Sequence, residues 1–264
     1  MDFVNKIVWI TGASSGIGEA LTYEFARQKA KLIISSNQQK DLETVKKKCD
    51  EIGADCYIQF LNMIDIDNFQ AVTDTLIERY GQIDVLVNNA GISQRSLVKD
   101  TPLEVDRKIM EIDYFGTIAL TKAVLPYMIK KNSGYIAVTS SISGKFGFPL
   151  RSAYSAAKHA LHGFFETLRA EVFDHNIKVL IAFPGRVKTD ISLHALTKEG
   201  KAHGKMDDGQ NTGISAEKCA RKYVNAIKND KKEILIGSTE LLMVYIHKFF
   251  PGLFYKLARK IKPT

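Results

Sequence analysis

The chain has 264 residues, 45% of them hydrophobic and 25% charged, with a formal net charge of +8. That length supports one large core and excludes two full-sized domains, and the balance excludes a disordered or fibrous chain. The charge is concentrated at one end: residues 217–264 hold eleven Lys/Arg against four Asp/Glu, whereas a nucleic-acid binder would spread basic residues over a face of the domain, so no nucleic-acid partner is expected.

The first apolar run, Lys6–Thr11, opens onto Thr11-Gly12-Ala13-Ser14-Ser15-Gly16-Ile17-Gly18, and a helical pattern, Ile17–Lys29, follows at once. In such a turn Gly12 permits the tight bend, Gly16 lets backbone approach a pyrophosphate, and Gly18 lets the helix pack closely. The helix N-terminus then offers unpaired N–H groups and the positive end of its dipole to phosphates. Further apolar runs are Lys31–Ser35, Cys56–Leu61, Ile83–Asn88, Gly134–Ser140, Lys178–Phe183 and Lys232–Gly237. Between them lie helix-period segments at Asp41–Ile52, Asp67–Tyr80, Leu103–Lys131, Ala153–His175 and Ala216–Asn229. Tyr80-Gly81 reads as a helix stop and Pro102 as a helix start.

The runs are rich in Ile, Val and Leu without alternation, as strands buried on both faces should be. Strand–helix–strand repetition with short links implies right-handed crossovers and a parallel sheet covered by helices. The expected fold is therefore α/β, a three-layer doubly wound parallel sheet of about seven strands, in a single domain over residues 1–264. Residues 190–214 break the rhythm with four glycines, Gly200, Gly204, Gly209 and Gly213, and read as a substrate loop or lid.

Three cysteines (Cys49, Cys56, Cys219) and no C-x-x-C suit a reducing compartment, with no disulfide framework and no zinc site. His159, His162, His194 and His203 show no metal spacing, and no metal is expected. Met1 leads within a few residues into the first strand, with no secretory pattern, so a cytoplasmic location is expected.

T-G-x-x-x-G-x-G after the first strand, Asn88-Asn89-Ala90-Gly91 after the fourth, Ser141 with Tyr154-x-x-x-Lys158, and Pro184-Gly185 after the sixth together resemble the short-chain dehydrogenase/reductase family in its compact single-domain branch. The resemblance runs from Lys6 to about Gly237. It implies an NAD(P)-dependent oxidoreductase acting on a small-molecule carbonyl or alcohol. Cofactor contacts are implied at Gly12, Ser14, Ser15, Gly16, Ile17 and Gly18, at Asn89, Ala90 and Gly91, and at Pro184 and Gly185. Val187 and Thr189 match positions that grip the nicotinamide carboxamide.

Tyr154 and Lys158 stand four apart on one helix face. A free tyrosine is a poor base at neutral pH, and a nearby ammonium with an oxidised nicotinamide favours its phenolate. Tyr154 is thus the expected general acid/base, exchanging a proton while hydride moves. By resemblance Lys158 also holds the nicotinamide ribose and Ser141 the substrate oxygen. Ser140 would point the other way on its strand. The family places an asparagine, carrying a water beside the lysine, where this chain has Asp113. Asp113 is carried over as the fourth catalytic position, keeping the backbone carbonyl but losing the amide donor.

Cofactor choice falls at the end of the second strand, where Ser35-Ser36-Asn37-Gln38 offers neither the Asp that takes a ribose 2′-hydroxyl nor an Arg for a 2′-phosphate. Without a carboxylate nothing repels a phosphate, and Ser36 and Asn37 can donate to it. NADP(H) is favoured and NAD(H) is the alternative. Asn62-Met63 replaces the family's usual Asp-hydrophobic pair beside the adenine.

Residues 93–97, 142–150 and 186–212 are expected to border the substrate. Phe146, Phe148, Leu150, Leu193 and Leu196 make that side apolar, which suggests a hydrophobic substrate; the alternative is that they pack the loops. The tail, residues 239–264, mixes Phe249, Phe250, Leu253, Phe254, Tyr255 and Leu257 with Lys248, Lys256, Arg259, Lys260 and Lys262. Its apolar runs are too short to span a bilayer and Pro251-Gly252 interrupts them. It reads as an amphipathic segment for peripheral contact with an anionic membrane, or as a cover for a sheet edge or subunit partner. The tail resembles that of the orphan dehydrogenase/reductase member seven subgroup, some of whose members are membrane-associated. The family resemblance also implies a homodimer or homotetramer through the helices holding Asp113 and Tyr154. The competing functional reading is a dinucleotide-binding sensor or scaffold without catalysis.

Overall fold

The computed structural model describes residues 1–259; Lys260 and Lys262 of the basic tail lie outside the described residues. Strands β1 (Ile7–Thr11), β2 (Lys31–Ser35), β3 (Cys56–Ile58), β4 (Val85–Asn88), β5 (Gly134–Thr139) and β6 (Ile177–Pro184) are followed by two short strands, β7 (Val187–Lys188) and β8 (Ile214–Ser215), and by β9 (Glu233–Ile236). The helices are α1 (Gly16–Arg27), α2 (Gln39–Ile52), α3 (Phe69–Tyr80), α4 (Leu103–Met110), α5 (Thr117–Lys131), α6 (Ser152–Glu171), α7 (Asp208–Asn211), α8 (Ala216–Lys228), α9 (Leu242–Phe249) and α10 (Pro251–Ala258).

Seven strands form one sheet in the order β3-β2-β1-β4-β5-β6-β9, every pairing parallel. The strands are buried on both faces, which explains the absence of alternation in their sequences. One face carries α1, α2 and α8 over a core that includes Leu21, Phe25, Val45, Tyr223 and Ile227. The other carries α3, α5 and α6 over Trp9, Leu76, Leu120, Val124 and Phe165. The three-layer doubly wound arrangement expected from the sequence is therefore present.

The segment Leu103–Lys131 is helical throughout, but not α-helical throughout. A π-helical turn at Glu111–Gly116 separates α4 from α5. Gly116 lies against the Met63 carbonyl, where a Cβ would come within 2.3 Å, so the chain passes close to the β3–α3 connection at this widened turn. π-turns cluster at functional sites, and this one contains Asp113. The regular part of the third strand is shorter than Cys56–Leu61, but the Gln59 and Leu61 N–H groups still donate to the Ile34 and Ser36 carbonyls at 3.0 and 3.1 Å.

Residues 190–214 are less irregular than their glycines suggest. β7 and β8 form a two-stranded ladder, and Leu196 bridges to Gln94 and Ala202. This loop is thereby tied to the connection that follows β4. The tail divides at Phe250 into α9 and α10, as Pro251-Gly252 predicts.

Candidate active site

The sheet order reverses between β1 and β4, and the connections from these strands diverge above their carboxyl ends. Ligands bind at such switch points in open α/β sheets. A cleft of about 280 Å³ lies there, lined from Ser36 and Asn37 past the glycine turn to Tyr154, Lys158 and Ser141. Of the expected cofactor residues, all but Gly18 line it. Asp113 also stands back from the lining.

The turn after β1 is built for close backbone approach. Gly12 has φ +64°, and a Cβ there would sit 2.8 Å from Ala90 Cα. Gly18 does not face the cleft; it packs behind the turn, where a Cβ would lie 2.0 Å from the Gly12 carbonyl oxygen. The N-cap of α1 is Ser15, whose side chain makes no capping bond. The first N–H groups of a twelve-residue helix therefore keep their donors free of a side-chain cap, a donor set that suits a pyrophosphate. Asn89 fastens the floor: its Nδ2 donates to the Thr11 and Gly12 carbonyls at 3.2 and 3.4 Å, and its Oδ1 accepts from Thr139 Oγ1 at 3.1 Å. The residues present fit a dinucleotide. At the far end Ser14 and Ser36 hydroxyls lie 2.8 Å apart.

Tyr154 is on the first turn of α6 with Lys158 one turn further; the Lys158 Nζ lies 5.5 Å from the Tyr154 ring centre. Nζ donates to the Thr139 carbonyl at 3.3 Å, which holds the lysine against the end of β5. Ser141 closes β5: its Oγ accepts from the Ser143 N–H at 3.1 Å and donates to the Pro184 carbonyl at 3.4 Å. Ser140 turns away and donates to the Lys158 carbonyl at 3.0 Å, clamping strand to helix.

Asp113 is fully buried behind this group. Its Oδ1 accepts from the Ile92 N–H at 2.7 Å, and its Oδ2 lies 3.1 Å from Lys158 Nζ. Asp113 and Lys158 side chains are 0% and 4% exposed, so the pair is shielded from solvent. Burial pushes the Asp113 carboxyl above the usual carboxylate range, against the pull of Lys158 and the Ile92 N–H. For Lys158 burial acts downward, but the charges of Asp113 and Tyr154 outweigh it and hold the ammonium above the ordinary lysine range. The sequence places Asp113 near the lysine; the direct side-chain pairing is a finding of the structure.

Beyond Ser141 a second cavity of about 220 Å³ opens, bordered by Phe148, Arg151, Arg186, Asp207, Glu240 and Met243 among others. Of the apolar residues assigned to the substrate side, Phe148 lines it. Phe146 instead packs under the tail against Ile142 and Phe254, and Leu196 packs against Val105, Ile109 and Ala157. Leu150 and Leu193 line neither cavity, and the loop-packing alternative describes Phe146 and Leu196. Sequence reasoning missed three charged residues. Asp207 accepts from Arg95 Nε at 3.1 Å and from Arg151 Nη2 at 2.9 Å. Arg151 precedes Tyr154 by three positions, a spacing that could have flagged it; Asp207 lies in the irregular segment, where no periodicity points inward.

His162 meets Glu166 and Glu233 within 4.8 Å on the surface. Lys145 Nζ sits 2.9 Å from Glu233 and 3.2 Å from the His162 ring, so an ammonium already pairs with one of the two carboxylates of this cluster.

A family model described as "short chain dehydrogenase" matches residues 6–200. "Dehydrogenase/reductase SDR family protein 7-like" of Drosophila melanogaster is 38% identical over 260 residues, covering 97% of this chain and 80% of the relative. "Dehydrogenase/reductase SDR family member 7B" of Mus musculus is 38% identical over 261 residues, covering 96% and 80%. A Burkholderia phymatum short chain dehydrogenase/reductase solved in complex with NAD superposes with a TM-score of 0.84 over 100% of this chain and 98% of its own, at 21% identity, a likeness of fold. The chain belongs to the short-chain dehydrogenase/reductase family, oxidoreductases that interconvert CH–OH and C=O groups.

Proposed function

We propose that the chain moves hydride between NADP(H) and a small-molecule carbonyl or alcohol, with Tyr154 as general acid/base. The supporting observation is that Tyr154, Lys158 and Ser141, from α6 and the end of β5, converge at one end of a cleft whose other end is the glycine turn. When bound, the nicotinamide supplies or accepts the hydride. Tyr154 exchanges the proton at the substrate oxygen. Ser141 donates to that same oxygen, and the Lys158 ammonium favours the phenolate. Asp113 positions Lys158. Tyr154→Phe is expected to lower kcat by at least about 100-fold while leaving NADPH binding intact; turnover at the parent rate overturns the assignment. A scaffold without catalysis would have no use for this convergence.

The preference for NADP(H) over NAD(H) rests on charge. Of the residues lining the cleft only Asp190 is acidic, and it belongs to the segment after β7 rather than to the Ser36–Asn37 end. Fluorescence titration should give a lower Kd for NADPH than for NADH; the reverse order defeats the preference. A homodimer or homotetramer is proposed through α4, α5 and α6, and light scattering giving the monomer mass defeats it.

No helix among the described residues is long and apolar enough to cross a membrane. The tail nevertheless exposes Leu242, Tyr245, Phe249, Phe250, Leu253 and Tyr255, with Phe249 and Phe250 61% and 64% exposed. Residues 241–259 contain Lys248, Lys256 and Arg259 and no acid. An apolar row edged only by cations complements an anionic bilayer surface, and we assign the tail to that contact. Flotation with phosphatidylserine vesicles, comparing the full chain with one ending at Thr239, should separate the two; equal flotation refutes the contact.

A further inference from the structure

We infer that Arg151 is the specificity-determining residue of the substrate cavity and receives a carboxylate carried by the substrate. The inference rests on the oxidoreductase reading above and deepens it.

Arg151 borders both cavities, and so does Ser141. A substrate whose oxygen sits at Ser141 and Tyr154 and whose remainder enters the second cavity must pass the guanidinium. Arg151 is incompletely paired. Its Nη2 donates to Asp207 Oδ2 at 2.9 Å, but its Nε has no partner among the described residues and is shut off from solvent. Arg95, by contrast, is fully used: Nε and Nη2 donate to Asp207, and Nη1 to Ser93 Oγ at 2.9 Å and to the Gln94 carbonyl. Asp207 is thus shared by two guanidinium groups, and the buried trio carries one uncompensated positive charge. Arg186 and Glu240, which also border the cavity, carry one charge of each sign, and the Arg186 backbone N–H donates to Glu240 at 2.8 Å. Burial and the neighbouring Arg95 pull Arg151 down to about 10, so it remains charged at neutral pH.

The sealed Nε adds to the cost of burying this guanidinium, while the side chain, 19% exposed and lining both cavities, presents the tip of the guanidinium to an arriving acceptor. One net charge calls for a monoanion, and the planar fork suits a carboxylate better than a dianionic phosphate. The local backbone supports a built site. Leu150, the residue before Arg151, adopts φ +64°, a conformation that a bulky side chain enters only under constraint. Its carbonyl accepts from the Ser96 N–H at 3.2 Å, which holds the bend. Strain of this kind concentrates at functional sites.

The test uses a series of straight-chain oxo acids, their methyl esters and oxoalkyl phosphates of matched length. Two readouts are taken, kcat/KM from NADPH oxidation and the rise in Tm of the NADP-loaded protein. The acid should exceed its ester at least about tenfold in kcat/KM and also exceed the phosphate. It should raise Tm where the ester does not. In Arg151→Met the acid-to-ester ratio should fall to about one, while Arg151→Lys keeps the charge without the fork and retains an intermediate ratio. An ester equal to its acid, a preference for the phosphate, a ratio unchanged in Arg151→Met, or no Tm rise with any acid overturns the proposal. The thermal arm needs no turnover, so acid-selective Tm rises without NADPH oxidation would count against the oxidoreductase reading and for Arg151.

Discussion

Replacing Gly18 by alanine should cripple dinucleotide binding although Gly18 never faces the cleft. The new Cβ would lie 2.0 Å from the Gly12 carbonyl oxygen, 2.7 Å from its carbon and 2.6 Å from Asn89 Nδ2. Carbon and oxygen approach comfortably at about 3.3 Å, so the start of α1 must withdraw by roughly 1.3 Å or the turn must open by as much. Neither neighbour is a flexible tip: one is backbone, and the other is the amide that ties β1 to β4 and β5. Overpacking of this kind costs about 1–3 kcal/mol, or some 2–4 °C in Tm for each kcal/mol at this size. Binding suffers more, because the N–H donors of α1 move with the helix. Losing one charge-assisted bond to a phosphate, worth about 1.5–3 kcal/mol, weakens NADPH about 10- to 100-fold. Gly163→Ala is the control: it lies within α6, and a Cβ there meets nothing within 4 Å. That change should stabilise by about 0.5–1 kcal/mol and leave NADPH binding alone. Fluorescence titration and thermal melts of the two variants check both statements. A Gly18→Ala protein whose NADPH Kd stays within about threefold of the parent refutes the reasoning.

Asp113→Asn should move the alkaline limb of the kcat/KM profile to lower pH. Lys158 is held above its ordinary range, so its ammonium is intact at neutral pH and is lost only as pH rises through the folded value; without the carboxylate that loss comes sooner, and an unmoved limb contradicts the pairing. Asp207→Asn leaves Arg95 and Arg151 buried without a counter-charge, a change of about 3–5 kcal/mol that a melt should record as a fall of roughly 6–20 °C; a fall of less than about 2 °C would show that the trio contributes little. Trp9→Phe removes the indole donor 2.8 Å from the buried Ser35 hydroxyl and should cost about 1–3 kcal/mol, with unchanged denaturant midpoints telling against it.

The sheet was legible because each strand is buried on both faces, and such burial leaves a continuous apolar run in the chain. The glycine turn, Asn89, Ser141, Tyr154 and Lys158 were legible because each stands at a strand end or on one face of a helix, where spacing and position coincide. The interruption of Leu103–Lys131 was not. A π-turn inserts one residue without changing composition, and its cause at Gly116 is the Met63 carbonyl some fifty positions away. The Arg95–Asp207–Arg151 trio was hidden for a similar reason. Asp207 falls in the irregular, glycine-rich segment that reads as a loop or lid, and the bridge of Leu196 to Gln94 folds that segment back toward Arg95. Of the apolar residues read on the substrate side, Phe146 and Leu196 fasten loops, while Phe148 lines the second cavity together with Ile142, Met243 and the charged Arg151, Arg186, Asp207 and Glu240.

The two buried ion clusters near Tyr154 differ in a way that bears on chemistry. Asp113 and Lys158 balance, so that pair adds little net field. Arg95, Asp207 and Arg151 do not balance, and the surplus charge sits within the cavity wall rather than at the surface. Protein interiors tolerate such a surplus when a ligand completes it. The same guanidinium would then orient a substrate acid and place its carbonyl at Ser141. Affinity and alignment come from one residue, which predicts that loss of Arg151 should raise KM and lower kcat together for acids.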